Sequence, residues 1–197
     1  MDGSIYEYQP SFILGFHGCD KTTAEKIFSA KDKHLTPSQK AWDWLGHGTY
    51  FWEGNLARAW EWAQAKKAEG KIAEPAVLGA IIDLRHCLDL FDLQSMNQVK
   101  EAHSALVAMC ETSGIPLPVN VGKTSDKAGR QLDCAVLNAL HKWRKDTEKP
   151  GYDSVRGPFL EGEPIYDGAG FRSHSHIQIC VCNDACIKGY FRPIYPN

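Results

Sequence analysis

Apolar and polar positions along the chain follow two different periods. Short apolar runs bounded by glycine or polar residues predict strands over residues 11–18 and 75–84. Apolar residues at helical spacing predict helices over residues 21–30 and 55–67, each preceded by a residue type that caps helices. The first half of the chain therefore contains both kinds of element.

The clearest helix lies over residues 130–146. Apolar residues recur there at every third or fourth position, as Leu132, Ala135, Val136, Ala139, Leu140 and Trp143. A second helix is predicted over residues 92–112, and strands are predicted over residues 154–160, 176–183 and 187–192. Strands followed by helices and then by strands again are typical of the α+β class, and not of alternating β-α-β units.

The composition is that of one folded domain. The chain has 197 residues, of which 43% are hydrophobic, so we predict a single domain over residues 1–197. The formal net charge of −2 gives no bulk attraction to nucleic acid or to an anionic membrane. No run approaches the ~18–20 apolar residues that span a bilayer. The first ten residues also lack the basic start and apolar core of a signal peptide, so no membrane partner is predicted.

The seven cysteines are an odd number, and most of them lie within apolar runs. This distribution predicts reduced, buried thiols in a cytoplasmic protein and not a disulfide framework. Cys180 and Cys182 alternate with His176 and Gln178 on one face of a predicted strand. Because the segment has no C-x₂-C or H-x₃-H pair, we predict no metal site.

Three segments combine glycine with polar or aromatic residues. The first is LGFHG, which ends in His17 and Gly18, and the second is GHGTYFW, which contains Tyr50. The third is the C-terminal pair of strands with the glycine-rich loop over residues 161–175 before it. A loop of this length in a compact domain is usually functional. Taken singly, each segment also fits an ordinary structural role in a turn, an aromatic core or a half-exposed strand.

Taken together, the order and spacing of these segments resemble the ADP-ribosyltransferase superfamily of the His-Tyr-Glu type. That group includes the poly(ADP-ribose) polymerase-like and diphtheria-toxin-like catalytic domains. The family's His-Gly pair at the end of an early strand corresponds to His17 and Gly18. Its Gly-x-Tyr-Phe segment, leading into a helix, corresponds to GTYFWEGNLARAWEWA, which begins at Gly48. Its late strand with the third residue corresponds to HIQICVCNDACIKGYF, which contains Gln178.

The resemblance implies a split α+β fold of two packed antiparallel sheets with flanking helices and an NAD cleft between them. It implies a mono-ADP-ribosyltransferase that takes NAD as its substrate and uses no metal. His17 would hydrogen-bond a ribose hydroxyl, and Tyr50 would stack on the nicotinamide ring. The residues implied to bind NAD are His17, Gly18, Gly48, Thr49, Tyr50 and Phe51.

The third position departs from the family pattern because Gln178 stands where glutamate is usual. An amide can hydrogen-bond a ribose hydroxyl, but it is no base. Glu161 and Glu163, on the loop before this strand, are therefore the candidates for the base, beside the acceptor itself. The catalytic set is thus His17, Tyr50, Gln178, Glu161 and Glu163. The alternatives are an NAD glycohydrolase and a degenerate module that binds NAD, ADP-ribose or a protein without turnover.

The sequence leaves the acceptor open between protein and nucleic acid. A basic stretch could meet nucleic-acid phosphates, although a solvated helix face is the commoner meaning of such a stretch. Its members are Lys123, Lys127, Arg130, Lys142, Arg144, Lys145 and Lys149. An antitoxin or inhibitor partner, the oligomeric state and the physiological role are left open as well.

Overall fold

A computed structural model of the protein describes residues 8–30, 33–122 and 129–195. The elements of this part are, in chain order, β1 (Tyr8–Asp20), α1 (Lys21–Phe28), β2 (Thr49–Glu53), α2 (Leu56–Ala68), β3 (Pro75–Asp89), α3 (Leu93–Ser113), α4 (Gln131–Asp146), β4 (Ser154–Phe159), β5 (His176–Val181) and β6 (Ile187–Phe191). The predicted α+β class is confirmed. Each predicted helix and strand has a counterpart of the same type, whereas β2 is an element that the sequence analysis does not predict.

The strands form one connected mixed sheet in the order β1-β2-β5-β4-β3-β6, and β1 also pairs with β3. The sheet has two antiparallel halves, β1-β3-β6 and β2-β5-β4. They are joined by β1 and β2 at Gly15 and Phe16, and by the parallel pairing of β3 with β4 over residues 87–89. The two separate antiparallel sheets expected from the resemblance are therefore one sheet here, because the 15-residue strand β3 belongs to both halves.

The main core lies between the two halves. Leu78 and Ile82 on β3, Phe51 on β2 and Ile179 on β5 are fully buried in one cluster. Burying each of these side chains stabilises the fold by about 1.5–3 kcal/mol. The closed circuit of pairings β1–β2–β5–β4–β3–β1 thus surrounds a filled interior.

The outer faces of the two halves are covered by helices. Leu106 of α3 and Leu137 and Leu140 of α4 pack on the face of β2-β5-β4 that carries Cys180 and Val155. Helix α2 covers the outer face of the other half next to β2, where Ala59 forms a cluster with Val77 of β3 and Trp52 of β2. The helices therefore complete two further cores beside the central one.

Helix α4 buries a different face from the one predicted at its C-terminal end. Trp143 is 45% exposed, whereas the neighbouring Arg144 is 8% exposed. The Arg144 guanidinium donates to the Pro150 carbonyl at 2.7 Å and to the Gln98 amide oxygen and the Tyr152 hydroxyl at 3.1 Å. These hydrogen bonds offset the cost of burying the charge. The periodicity of apolar residues does not predict a buried arginine.

The loop over residues 161–175 is folded back on itself like a hairpin. Three backbone hydrogen bonds join its two arms, from Ile165 to Phe171, from Ser173 to Glu163 and from His174 to Glu161. This arm brings Glu161 and the start of β5 close together, and we call it the 161–175 arm.

Candidate functional site

His17 lies where β1 and β2 separate. The two strands pair at Gly15 and Phe16, and at the next residue the His17 Nδ1 atom lies 2.8 Å from the Tyr50 carbonyl oxygen. Because a carbonyl can only accept, Nδ1 carries the proton and Nε2 is left as an acceptor. Burial lowers the pKa of His17, so the ring is neutral at pH 7 and can accept a hydrogen bond from a hydroxyl group.

Gly18 and Gly48 are required by close packing. A Cβ atom at Gly18 would lie 2.3 Å from the Ala59 carbonyl oxygen, and one at Gly48 would lie 2.5 Å from the Cys180 sulfur. Both glycines therefore have a structural reason to be present, whatever they bind. Thr49 is buried, and its hydroxyl has no hydrogen-bond partner among the described residues. Phe51 is fully buried, with its ring 5.9 Å from that of His17.

The Tyr50 hydroxyl is engaged within the fold. It donates to the Gly46 carbonyl at 2.8 Å and accepts from the Leu45 amide at 2.9 Å. Burial raises the pKa of Tyr50 well above its ordinary value. The hydroxyl therefore holds the turn before β2 and is not available as an acid or base, while any role in stacking falls to the face of the ring.

Gln178 lies in the middle of the β2-β5-β4 half, between Trp52 and Gly157 on the neighbouring strands. Its side-chain oxygen accepts a hydrogen bond from the Trp44 indole at 2.6 Å. Because a Cβ atom at Gly157 would lie 3.1 Å from the Trp44 ring, the glycine leaves the space that the indole uses. With its oxygen engaged, Gln178 has its amide hydrogens to offer to a ligand.

Glu161 and Glu163 differ in their surroundings. The Glu161 carboxylate lies 2.8 Å from the Arg58 guanidinium and 3.8 Å from Nδ1 of His176. Glu163 is exposed, and its backbone carbonyl accepts a hydrogen bond from Ser173 within the 161–175 arm. Of the two carboxylates, Glu161 is therefore the one that lies beside β5.

The structure also places His176 at the centre of a cluster that the sequence analysis does not assign to the site. Its side chain is 2% exposed, and its ring lies between those of Trp52 at 6.1 Å and Phe159 at 5.5 Å. Nδ1 donates to the His174 carbonyl at 2.6 Å. The one signal in the sequence is the alternation that puts His176 and Gln178 on the same face of β5.

Several buried polar atoms in this cluster lack a partner. Among the described residues, no hydrogen bond is made by Nε2 of His176, Nε1 of Trp52 or Nε of Arg58. Nε of Arg130 also makes no hydrogen bond within the described residues, and the Arg130 guanidinium lies 5.0 Å from the Phe159 ring. Buried polar groups are nearly always satisfied, so an acceptor and several donors gathered in one place indicate a site for a polar ligand. We call these four residues with Gln178 and Glu161 the Gln178 cluster.

The predicted residues reach the site from three neighbouring strands. Phe16, Trp52 and Gln178 are register partners across β1, β2 and β5, so they share one face. His17 follows Phe16 and therefore points to the opposite side, where it meets the Tyr50 backbone. The structure thus places Glu161 beside His176, which is two residues from Gln178 on the same face of β5. It places His17 at the junction of β1 and β2, on the other face of the sheet.

The remaining predictions concern metals, membranes and the basic stretch. No group of three or more metal-ligating side chains is found within the described ranges. No helix in that part of the chain has the length and apolar character needed to cross a membrane. Residues 1–7, Lys123 and Lys127 lie outside the described residues. Of the other basic residues, Arg144 is buried and Lys142 pairs with Asp146 at 2.6 Å.

Comparison with known proteins gives one informative result. No protein-family model matches the chain. It is similar to the protein named uncharacterized protein MJ0359 of Methanocaldococcus jannaschii, with 36% identity over 191 residues, covering 88% of this chain and 83% of the relative. Identity at this level over most of both chains establishes common descent, and the chain therefore belongs to the same family as MJ0359.

Proposed function

We propose that the protein transfers a single ADP-ribose unit from NAD to a macromolecular acceptor and releases nicotinamide. One observation carries this proposal. The three segments that resemble the ADP-ribosyltransferase superfamily are far apart in sequence, yet His17, Tyr50 and Gln178 lie on the laterally adjacent strands β1, β2 and β5. Segments that form one site must be adjacent in the fold. The side chains of Tyr50 and Gln178 share one face of the sheet, whereas that of His17 leaves the opposite face where β1 and β2 separate.

The geometry at His17 suits a ribose hydroxyl. The Tyr50 carbonyl fixes the proton on Nδ1, so Nε2 accepts in the neutral ring. Beyond Phe16, β2 does not pair with β1 among the described residues, so the strand edge at Gly18 is not covered by β2. The stacking of Tyr50 on nicotinamide stays a prediction that rests on the resemblance.

The proposed reaction breaks the bond between C1′ of the ribose and the nicotinamide nitrogen, and the bonding electron pair leaves with nicotinamide. The acceptor nucleophile then bonds to C1′, and its proton passes to a base. Glu161 suits this role because it is the loop carboxylate beside His176 and the start of β5. Gln178 would donate from its amide nitrogen to a ribose oxygen, because its own oxygen is held by Trp44.

The test is incubation of the purified protein with radiolabelled NAD and a cell extract, followed by protease or nuclease digestion of the labelled product. Labelled macromolecule together with released nicotinamide supports the proposal. Glu161→Gln should lower the transfer rate by ~10²-fold or more with little change in NAD affinity, because general-base help is lost. Glu163→Gln is the matched control on the same arm and should transfer at the wild-type rate.

A second variant tests the departure at position 178. Gln178→Glu should preserve or raise the rate, since a carboxylate can contact the ribose and also act as a base. Gln178→Ala should lower it, because the ribose contact is lost. Nicotinamide release without labelled macromolecule would instead identify an NAD glycohydrolase.

The second candidate is a module that binds NAD or ADP-ribose without turnover. Two observations favour it. Gln178 is no base, and the Glu161 carboxylate is already engaged in an ion pair with Arg58 at 2.8 Å. Calorimetric binding of NAD with no nicotinamide release, in the wild type and in Gln178→Glu, would establish this candidate and overturn the first.

A further inference from the structure

A cavity lies at the C-terminal end of β5, away from the Gln178 cluster. Its volume is about 580 Å³. Cys182, just past the end of β5, reaches it from the sheet, and Asn138, His141 and Lys145 reach it from one face of α4. His47, from the segment before β2, closes a further side. The proposed transfer chemistry uses none of these side chains.

Cys182 differs from every other cysteine of the chain. All seven cysteines lie within the described ranges, and Cys182 alone is exposed. Its sulfur lies 3.9 Å from Nε2 of His141 and 3.9 Å from the His47 carbonyl oxygen. A thiol with an imidazole at this distance, inside an open cavity, is the arrangement of a reactive cysteine.

The thiolate form of Cys182 has built-in support. The neighbouring Cys180 and His141 side chains lower the pKa of Cys182 below the ordinary thiol value. Burial instead raises the pKa of Cys19 to about 11 and those of Cys87 and Cys186 to about 12. Cys182 therefore combines an exposed sulfur with a pKa below the ordinary thiol value.

The rim of the cavity is more cationic than anionic. Lys145 and Lys149 line it, and Glu148 is the single carboxylate among the lining residues. The two lysines favour a ligand that carries carboxylates near its reactive atom, and they disfavour a cationic one.

We propose that Cys182, supported by His141, is a nucleophilic site for small anionic disulfides and becomes S-thiolated by them. The Cys182 thiolate attacks one sulfur of the disulfide, and a new S–S bond forms as the old one breaks. The second half leaves as a thiolate with the bonding electron pair and takes a proton from water. The disulfide is the oxidant, and the cysteine sulfur is oxidised.

The experiment exposes the intact protein to glutathione disulfide and follows the adduct by intact mass and peptide mapping. One glutathione should be added, at Cys182, and Cys182→Ser and Cys182→Ala should remove the adduct while still unfolding cooperatively. Between pH 8 and pH 6 the rate should fall far less than that of an ordinary thiol, whose rate falls by more than about fiftyfold as its thiolate fraction declines. His141→Ala should restore the steep dependence.

Charge selectivity is tested with cystamine, a cationic disulfide of similar reactivity. Glutathione disulfide should react faster, and Lys145→Gln should slow it by about threefold without slowing cystamine. Lys142→Gln on the same helix is the control, because Lys142 pairs with Asp146 and does not line the cavity. Adducts at other cysteines, or a rate that falls with pH as for an ordinary thiol, would overturn the site. Faster reaction with cystamine would overturn the anionic class.

Discussion

At its two ends, strand β5 presents polar side chains on the same face but in different surroundings. Near the start of the strand, Nε2 of His176 and Nε1 of Trp52 are buried and make no hydrogen bond to any residue that the structure describes. At its end, the sulfur of Cys182 is supported by Cys180 and His141. Unpaired atoms favour a ligand that supplies the missing hydrogen bonds, whereas built-in donors make the side chain itself reactive. The two proposals therefore assign ligand binding to the start of β5 and a reactive thiol to the residue just past its end.

The largest expected effect comes from overpacking the C-terminal end of β5, where Gly48 lies against it. In Gly48→Ala the new Cβ would lie 2.5 Å from the Cys180 sulfur and 2.6 Å from the Val181 carbonyl oxygen. We expect a loss of about 3 kcal/mol in the free energy of unfolding, near the top of the range for overpacking. Urea unfolding measures this. Gly189→Ala, whose Cβ would meet nothing within 4 Å, is the control and should change stability by less than about 0.5 kcal/mol.

Tyr50→Phe acts on the Cys182 end. It removes the hydroxyl that bonds Leu45 and Gly46, next to the His47 carbonyl that faces Cys182. Leaving these backbone groups unpaired should cost about 1–2 kcal/mol of unfolding free energy. The control is Tyr166→Phe, since Tyr166 is 59% exposed. Equal melting temperatures for the two variants would contradict the structural role of the Tyr50 hydroxyl.

Local sequence pattern predicts most elements of this fold but misses others. Helices and most strands follow from apolar periodicity and turn residues. β2 does not, because Thr49–Glu53 is largely buried on both faces and shows no alternation of polar and apolar residues. The parallel pairing of β3 with β4 brings together segments that are separated by two helices.

The site divides in the same way. His17, Tyr50 and Gln178 are assigned to the proposed site through the resemblance to a family, and the alternation along β5 puts His176 on the same face as Gln178. The partners of these residues were not predictable. Trp44 is 134 residues from Gln178, and Arg58 is 103 residues from Glu161. Such contacts depend on tertiary packing, which periodicity does not encode.

A smaller effect is expected at the junction of β1 and β2. His17→Ala removes one neutral hydrogen bond to the bound ribose, so NAD affinity should fall roughly threefold to tenfold, or about 0.5–1.5 kcal/mol. Titration calorimetry measures this, with His103→Ala on α3 as the control. Thiolation of Cys182 should be unchanged, which keeps the two ends of β5 distinct. An unchanged NAD affinity would remove His17 from the proposed site.

The smallest effects are in the pH dependence of stability. The pKa of Cys182 is lowered below its ordinary value of 9.0 on folding, so its contribution to stability is present above pH 9 and is lost as the pH falls through the folded-state pKa. Burial lowers the pKa of His176 from 6.5, so its contribution is present above that pH and is lost below it. Unfolding curves from pH 5 to pH 9 should show that Cys182→Ser alters the slope across this range. His176→Gln should alter it only in the acidic part, and identical profiles would contradict the distinction.

The closed circuit of strand pairings has a consequence for motion. Because β3 is shared by both halves and β1 joins β2, the halves cannot swing apart without breaking backbone hydrogen bonds. The 161–175 arm is tied by its own few backbone bonds and carries Ile165, Tyr166 and Phe171 at its surface. Amide hydrogens of β3 and β5 should therefore exchange with solvent only on global unfolding, whereas those of the arm should exchange through local opening. Access to the Gln178 cluster then depends on how often the arm opens locally, and not on motion of the two halves of the sheet.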